Sequence, residues 1–144
     1  MKKVLLMAVC ALAVVAAPVQ AKTHSSATVI AASNACTPTE VAYVSYGTLV
    51  TGALVANPDG TYSGSLVVTV SQTNEHARAD LGAATTYTLT NAALHLHGQD
   101  PAALIVGSRV KMIGKITVLP KHCDQTGFVP TTVIQRGFIK DPKL

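Results

Sequence analysis

Among the side chains able to do chemistry, the histidines stand out, since each imidazole can ligate a metal or titrate near neutrality. His95 and His97 are two apart on a segment that reads as extended, so both lie on one face, opposite Leu94 and Leu96. A His-x-His pair on a strand offers two nitrogens to one Cu(II) or Zn(II), with His76, His122 and Asp124 as recruits for the remaining positions. The other reading is two imidazoles on a wet strand face. His24 carries a different metal chemistry. A cut after Ala21 makes Lys22-Thr23-His24 the N-terminus. A free amine, two backbone amides and a third-position imidazole then wrap Cu(II) or Ni(II) in the square plane those ions prefer.

The densest ionisable stretch is 72–84, with Glu75, His76, Arg78 and Asp80. On a helical turn Glu75 and Arg78 stand at i,i+3 and His76 and Asp80 at i,i+4, so each pair can meet. The segment reads either as a polar recognition loop or as a solvated connection. Further on, Arg109, Lys111 and Lys115 alternate with apolar residues along one run, and Lys121, Arg136, Lys140 and Lys143 add to the charge. This basic face suits a ligand or an anionic surface partner of the cell envelope. Nucleic acid is disfavoured, because Tyr43, Tyr46, Tyr62, Tyr87, Phe128 and Phe138 are few for a stacking platform. No Gly-x-Ser-x-Gly elbow, HExxH helix or phosphate-cradling glycine loop occurs in the sequence. The expectation is a non-catalytic binding module without a cofactor, with copper or zinc binding as the alternative.

These residues sit in a chain of 144 residues with formal net charge +4, too short for several large domains and not basic enough for a dedicated polyanion binder. Its apolar residues are concentrated at the start. Met1-Lys2-Lys3 is a positive head, 4–17 is an apolar run, and Val19 and Ala21 fit a signal-peptidase site. The run is shorter than a membrane span needs. Residues 1–21 therefore read as a signal peptide, and the protein as exported, periplasmic or secreted. Cys10 leaves with the leader, so Cys36 and Cys123 remain as an even pair in an oxidising compartment, which reads as a disulfide. A metal-binding or catalytic thiol beside Lys121 and His122 is the alternative.

Residues 22–40 are rich in Ala, Ser and Thr and read as a flexible arm; 41–144 read as the folded domain. Its texture is β, dominated by Thr and Val. Leu66, Val68 and Val70 share one face of a run, and Val110, Met112, Ile116 and Val118 share one face of another. Asn57-Pro58-Asp59-Gly60 is a hairpin turn in which Pro fixes φ and Gly supplies positive φ. Further strands fall at 85–89 and 93–97, read as one bent strand, and at 131–139. Asp100-Pro101-Ala102-Ala103-Leu104 reads as a helical turn capped by Asp100. The order of strands around one short helix predicts an all-β fold: a small OB-like antiparallel barrel of five to six strands, stapled by the Cys36–Cys123 disulfide.

The segments Gly64-Ser65-Leu66-Val67-Val68-Thr69-Val70, Asn74-Glu75-His76-Ala77-Arg78, Thr85-Thr86-Tyr87-Thr88-Leu89, Leu104-Ile105-Val106-Gly107-Ser108-Arg109-Val110 and Gly114-Lys115-Ile116 extend over roughly 47–139. Together they resemble secreted bacterial OB-like small β-barrel domains of unknown function. The resemblance implies a β-barrel and an exported location, and brings no activity with it.

Overall fold

The computed structural model describes residues 36–143. The expected signal peptide over 1–21, the expected arm through residue 35 and His24 lie outside the described residues. Five strands follow in order: β1 (Thr39–Ala56), β2 (Tyr62–Thr73), β3 (Ala84–His95), β4 (Arg109–Val118) and β5 (Thr132–Lys140), with one 3-10 helix (Glu75–Asp80) between β2 and β3. They close into a barrel in the order β1-β2-β3-β5-β4 and back to β1. The fold is all-β and barrel-like.

Closure depends on β1, an 18-residue strand that serves both neighbours. Thr39 to Thr48 pair with β4, and Ser45 to Ala56 pair with β2. The strand bends where its partners overlap, with register shifts between Tyr46 and Gly47 and between Leu49 and Thr51. Gly47 is required there because a Cβ would overlap the Thr69 carbonyl oxygen. Gly114 plays the same part at the β4–β5 irregularity, where a Cβ would overlap the Val133 carbonyl oxygen. The alternation expected from sequence holds. Leu66, Val68, Val70, Val110 and Met112 are buried in the barrel with Leu49 and Ile139, and Gly60 closes the first hairpin at φ 82°.

Three local expectations are corrected. The barrel is not wholly antiparallel: β3 and β5 run parallel, pairing Ala93, Leu94 and His95 with Arg136, Gly137 and Phe138. The short helix lies at 75–80, where the Asn74 side chain accepts the Ala77 N–H at 3.2 Å. Around Asp100 the chain only turns. The Asp100 carboxylate accepts the Ala102 N–H at 2.9 Å as a cap does, but the Pro101 and Ser108 carbonyls accept the Leu54 and Leu49 N–H groups of β1, each at 2.9 Å. Satisfying the edge of β1 beyond its pairing with β4 keeps this connection flat against it. His97 also leaves the strand, turning at φ 48° after β3 ends at His95.

Cys36 and Cys123 are disulfide-bonded. Among the described residues no helix is long and apolar enough to cross a membrane. The bond closes a loop of nearly ninety residues, whose lost freedom in the unfolded chain is worth about 4 kcal/mol on loop entropy. Replacing both cysteines by serine should lower the unfolding free energy by about 2–4 kcal/mol in urea titrations. An unchanged midpoint would mean that the bond constrains nothing the sheet does not already hold.

Candidate functional site

Three places on the barrel collect polar chemistry. The first is inside. Tyr43 and Ser45 on β1 and Tyr87 on β3 point into the barrel and are all but inaccessible. The Tyr43 hydroxyl donates to Asp80 Oδ2 at 2.6 Å, and it also lies 2.8 Å from the Tyr87 hydroxyl, which in turn lies 2.8 Å from Ser45 Oγ. Each hydroxyl has one proton. With the Tyr43 proton committed to the carboxylate, Tyr87 must donate to Tyr43 and Ser45 to Tyr87. The result is a directed chain, Ser45 to Tyr87 to Tyr43 to Asp80, that ends on a negative charge. Burial pushes the Tyr43 phenol well above its usual range, and its bond to Asp80 pushes the same way. Burial also raises Tyr87. Both phenols therefore act as fixed hydrogen-bond donors rather than as bases or nucleophiles.

Tyr43, Tyr87 and Asp80 of this chain line a cleft of about 240 Å³ together with Thr85, Thr86, Thr88, Thr132 and Ile134. The cleft exists because β3 and β5 pair over only three residues, at His95 and the two before it. Towards their N-terminal ends the two strands diverge. Sequence reading singled out Asp80 but missed Tyr43, Ser45 and Tyr87. The available signal was a run of polar residues on a core-facing parity, because a buried hydroxyl needs a partner.

The second place is the outer face of β1, β4, β5 and β3. Register aligns Gln72, Tyr46, Lys111, Phe138 and His95 in one row across the strands. The Lys111 ammonium sits 5.1 Å from the centre of the Tyr46 ring, as a cation–π pair. Tyr46 and Phe138 are 39% and 42% exposed, so the row is both cationic and aromatic at the surface. One row away lie Thr48, Arg109 and Lys140; on the other side lie Val44, Ile113, Arg136 and Ala93. None of these positions carries a carboxylate. Lys115 differs from its neighbours on β4, because Glu40 pairs with it at 2.8 Å.

The third place is the groove between the 3-10 helix and the β4–β5 connection, about 570 Å³, lined by Glu75, His76, Thr39, Val118, Pro120 and Lys121. Glu75 faces Lys121 at 4.0 Å, with both side chains largely in solvent. The expected pairs of Glu75 with Arg78 and of His76 with Asp80 do not form among the described residues, since Asp80 turns to Tyr43. The segment is thus split between cleft and groove. Its exposed pairing with Lys121 is of the kind worth little.

The His95 and His97 rings do come together, edge to face with centres 4.7 Å apart, and His95 also meets Phe138. Among the described residues no third histidine, cysteine or carboxylate joins them in a metal-sized group. The sulfurs of Cys36 and Cys123 are committed to the disulfide, which leaves no free thiolate beside His122.

Comparisons with protein-family models, with curated proteins and with solved structures find no match for this chain.

The two buried phenols make alkaline stability a readout of the hydroxyl chain. Both are raised above the ordinary tyrosine value of 10.0, so the unfolded chain releases these protons at lower pH than the folded one. Their contribution is fully present below pH 10 and is lost as pH rises beyond it. In a spectrophotometric titration, tyrosinate absorbance from Tyr43 and Tyr87, taken as the difference from a Y43F/Y87F variant, should appear together with unfolding. Phenolate appearing while the far-ultraviolet signal is still native would contradict the chain.

Proposed function

We propose that this chain is an exported, non-catalytic binding module that docks on an anionic surface through the outer face of β1, β4, β5 and β3. The observation that carries the reading is the carboxylate-free set of aligned rows. They place Arg109, Lys111, Arg136 and Lys140 around Tyr46 and Phe138. Cations from neighbouring strands at sheet spacing form a contiguous positive field instead of isolated charges. The two part-exposed rings give the same face an apolar component that suits an interfacial partner. Export is supported by the leader pattern of 1–21 and by the disulfide, which belongs to oxidising compartments. The resemblance to secreted bacterial OB-like domains points the same way.

The interior chemistry favours binding over catalysis. Ser45 Oγ is hydrogen-bonded to a tyrosine rather than to a histidine, and no histidine takes part in that network to activate it. The 72–84 segment enters this reading as a neighbour, through Gln72 at the end of the aromatic row. Nucleic acid remains disfavoured on this face, because Lys111 already covers one side of the Tyr46 ring.

Cosedimentation with vesicles of phosphatidylglycerol and phosphatidylcholine tests the proposal, with a soluble sulfated polysaccharide as the polymer arm. Reversing Lys111 and Arg136 to Glu together should weaken binding by about tenfold or more, at roughly 1 kcal/mol per basic group near an anionic surface. Replacing Lys115 and Glu40 together by Gln removes a pair that is already neutral and should matter far less. Binding to neither probe at low salt, or equal loss from that paired replacement and the double reversal, would overturn the assignment.

A further inference from the structure

The cleft at the diverging ends of β3 and β5 has a chemistry opposite to that of the outer face. Asp80 is the charged side chain in its lining, and the remaining lining residues are Thr85, Thr86, Thr88, Thr132 and Ile134 beside Tyr43 and Tyr87. Asp80 Oδ2 is taken by the Tyr43 hydroxyl, while no lysine, arginine or histidine pairs with this carboxylate among the described residues. A partly buried carboxylate without a counter-cation lacks the partner that burial of charge calls for. The hydroxyl chain holds the carboxylate in place, so the site is preorganised for a positive group.

We propose that this cleft binds the ammonium end of a small organic amine, with Asp80 taking the charge. Thr85, which shares the inward parity of Tyr87, and the open edge of β3 take the remaining hydrogen bonds. At about 240 Å³ the cleft admits the end of a diamine or a lysine side chain and is far larger than one desolvated metal ion. A divalent ion also needs more oxygen ligands than one carboxylate and scattered hydroxyls supply. Anions find no cation in the lining. Sugars find no ring face to stack on, because Tyr43 and Tyr87 are buried to 0% and 4% exposure. Long-range attraction cannot mimic this binding, since the chain's formal net charge is +4 and repels amines in general.

Titration of the disulfide-bonded protein with putrescine, followed by ¹H–¹⁵N correlation spectra, tests the site. Saturable shifts are expected at the backbone amides of residues 85–88 and of Thr132, with a millimolar or tighter dissociation constant. Butanediol, which matches putrescine in length but lacks its charge, should leave those amides unmoved. Nα-acetyl-lysine amide distinguishes the sources: binding comparable to putrescine assigns the site to lysine side chains of a partner, and weaker binding assigns it to free diamines. Asp80→Asn retains an oxygen to accept the Tyr43 proton and should cost about tenfold in affinity, as expected for loss of one ion pair; Glu40→Gln should change nothing. Absence of saturable shifts, equal response to the diol, or unaltered affinity in a folded Asp80→Asn variant would each overturn the proposal. The comparison of diamine with diol needs no variant, so it stands even if Asp80→Asn fails to fold.

Discussion

A five-stranded sheet becomes a barrel only if its last two strands meet, and in this protein they meet over three residues. Everything of chemical interest follows from that short parallel seam between β3 and β5. Ahead of the seam the strands separate and leave a cleft reaching the polar floor of the barrel. At the seam, the outer row that starts at Gln72 and crosses β1, β4 and β5 is completed by His95. A longer seam would close the cleft and bury the Tyr43–Tyr87 pair behind continuous backbone. The other side of the barrel is closed by β1, which pairs with β4 and then with β2 along its 18 residues. Stability is thereby concentrated in the antiparallel ladders, and the parallel contact is left open. Edges left open in this way are usually either guarded or used.

The elements legible in the sequence are those whose cause is local. β2 and β4 were readable because a period of two decides which side chains are buried, and Leu66, Val68, Val110 and Met112 are buried accordingly. The hairpin at 57–60 was readable because Gly60 supplies the backbone conformation the turn demands. The helical turn expected after Asp100 illustrates the limit. Asp100 does cap a turn, but the Pro101 carbonyl that would have wound it further serves Leu54 of β1 instead. That demand arises from a strand more than forty residues away in the chain and leaves no mark on the local pattern. The 3-10 helix forms where Asn74 offers a cap and where its own side-chain amide also donates to the Ala42 carbonyl of β1 at 2.7 Å. Sequence supplied the cap residue; tertiary contact decided that it was used.

The candidate sites follow the same division. The four groups of the interior chain come from three separate elements, with Tyr43 and Tyr87 separated by 44 positions in the sequence. Their meeting depends on register and barrel closure, neither of which composition encodes. Lys115 was indistinguishable from Lys111 in the sequence, since both alternate on one face of β4. Register separates them. Lys115 lies beside the start of β1, within reach of Glu40, and Lys111 lies between Tyr46 and Phe138. Two residues of identical type and parity therefore have different electrostatic environments, one neutralised and one left available to a partner.

The division of charge between inside and outside gives the barrel its functional character. Outside, cations from β4 and β5 stand in rows without carboxylates, and at physiological salt their field decays over about 8 Å. Inside, Asp80 stands without a cation, held by hydroxyls whose protons all run towards it. Had Arg136 or Lys111 faced inward, the two charges would have cancelled, and neither site would have a preference for ligand sign. Strict alternation along β4 prevents this, because Val110 and Met112 take the inward positions between the basic ones. A single strand pattern thus builds the core and also keeps the outer cations away from the interior carboxylate. A one-residue slip in β4 would reverse both outcomes together, burying cations and exposing the core. The bulge opposite Gly114 is tolerable for the same reason: the register change between Ile113 and Gly114 advances the partner strand past Gln135, so Ile134 stays buried while Arg136 stays outside.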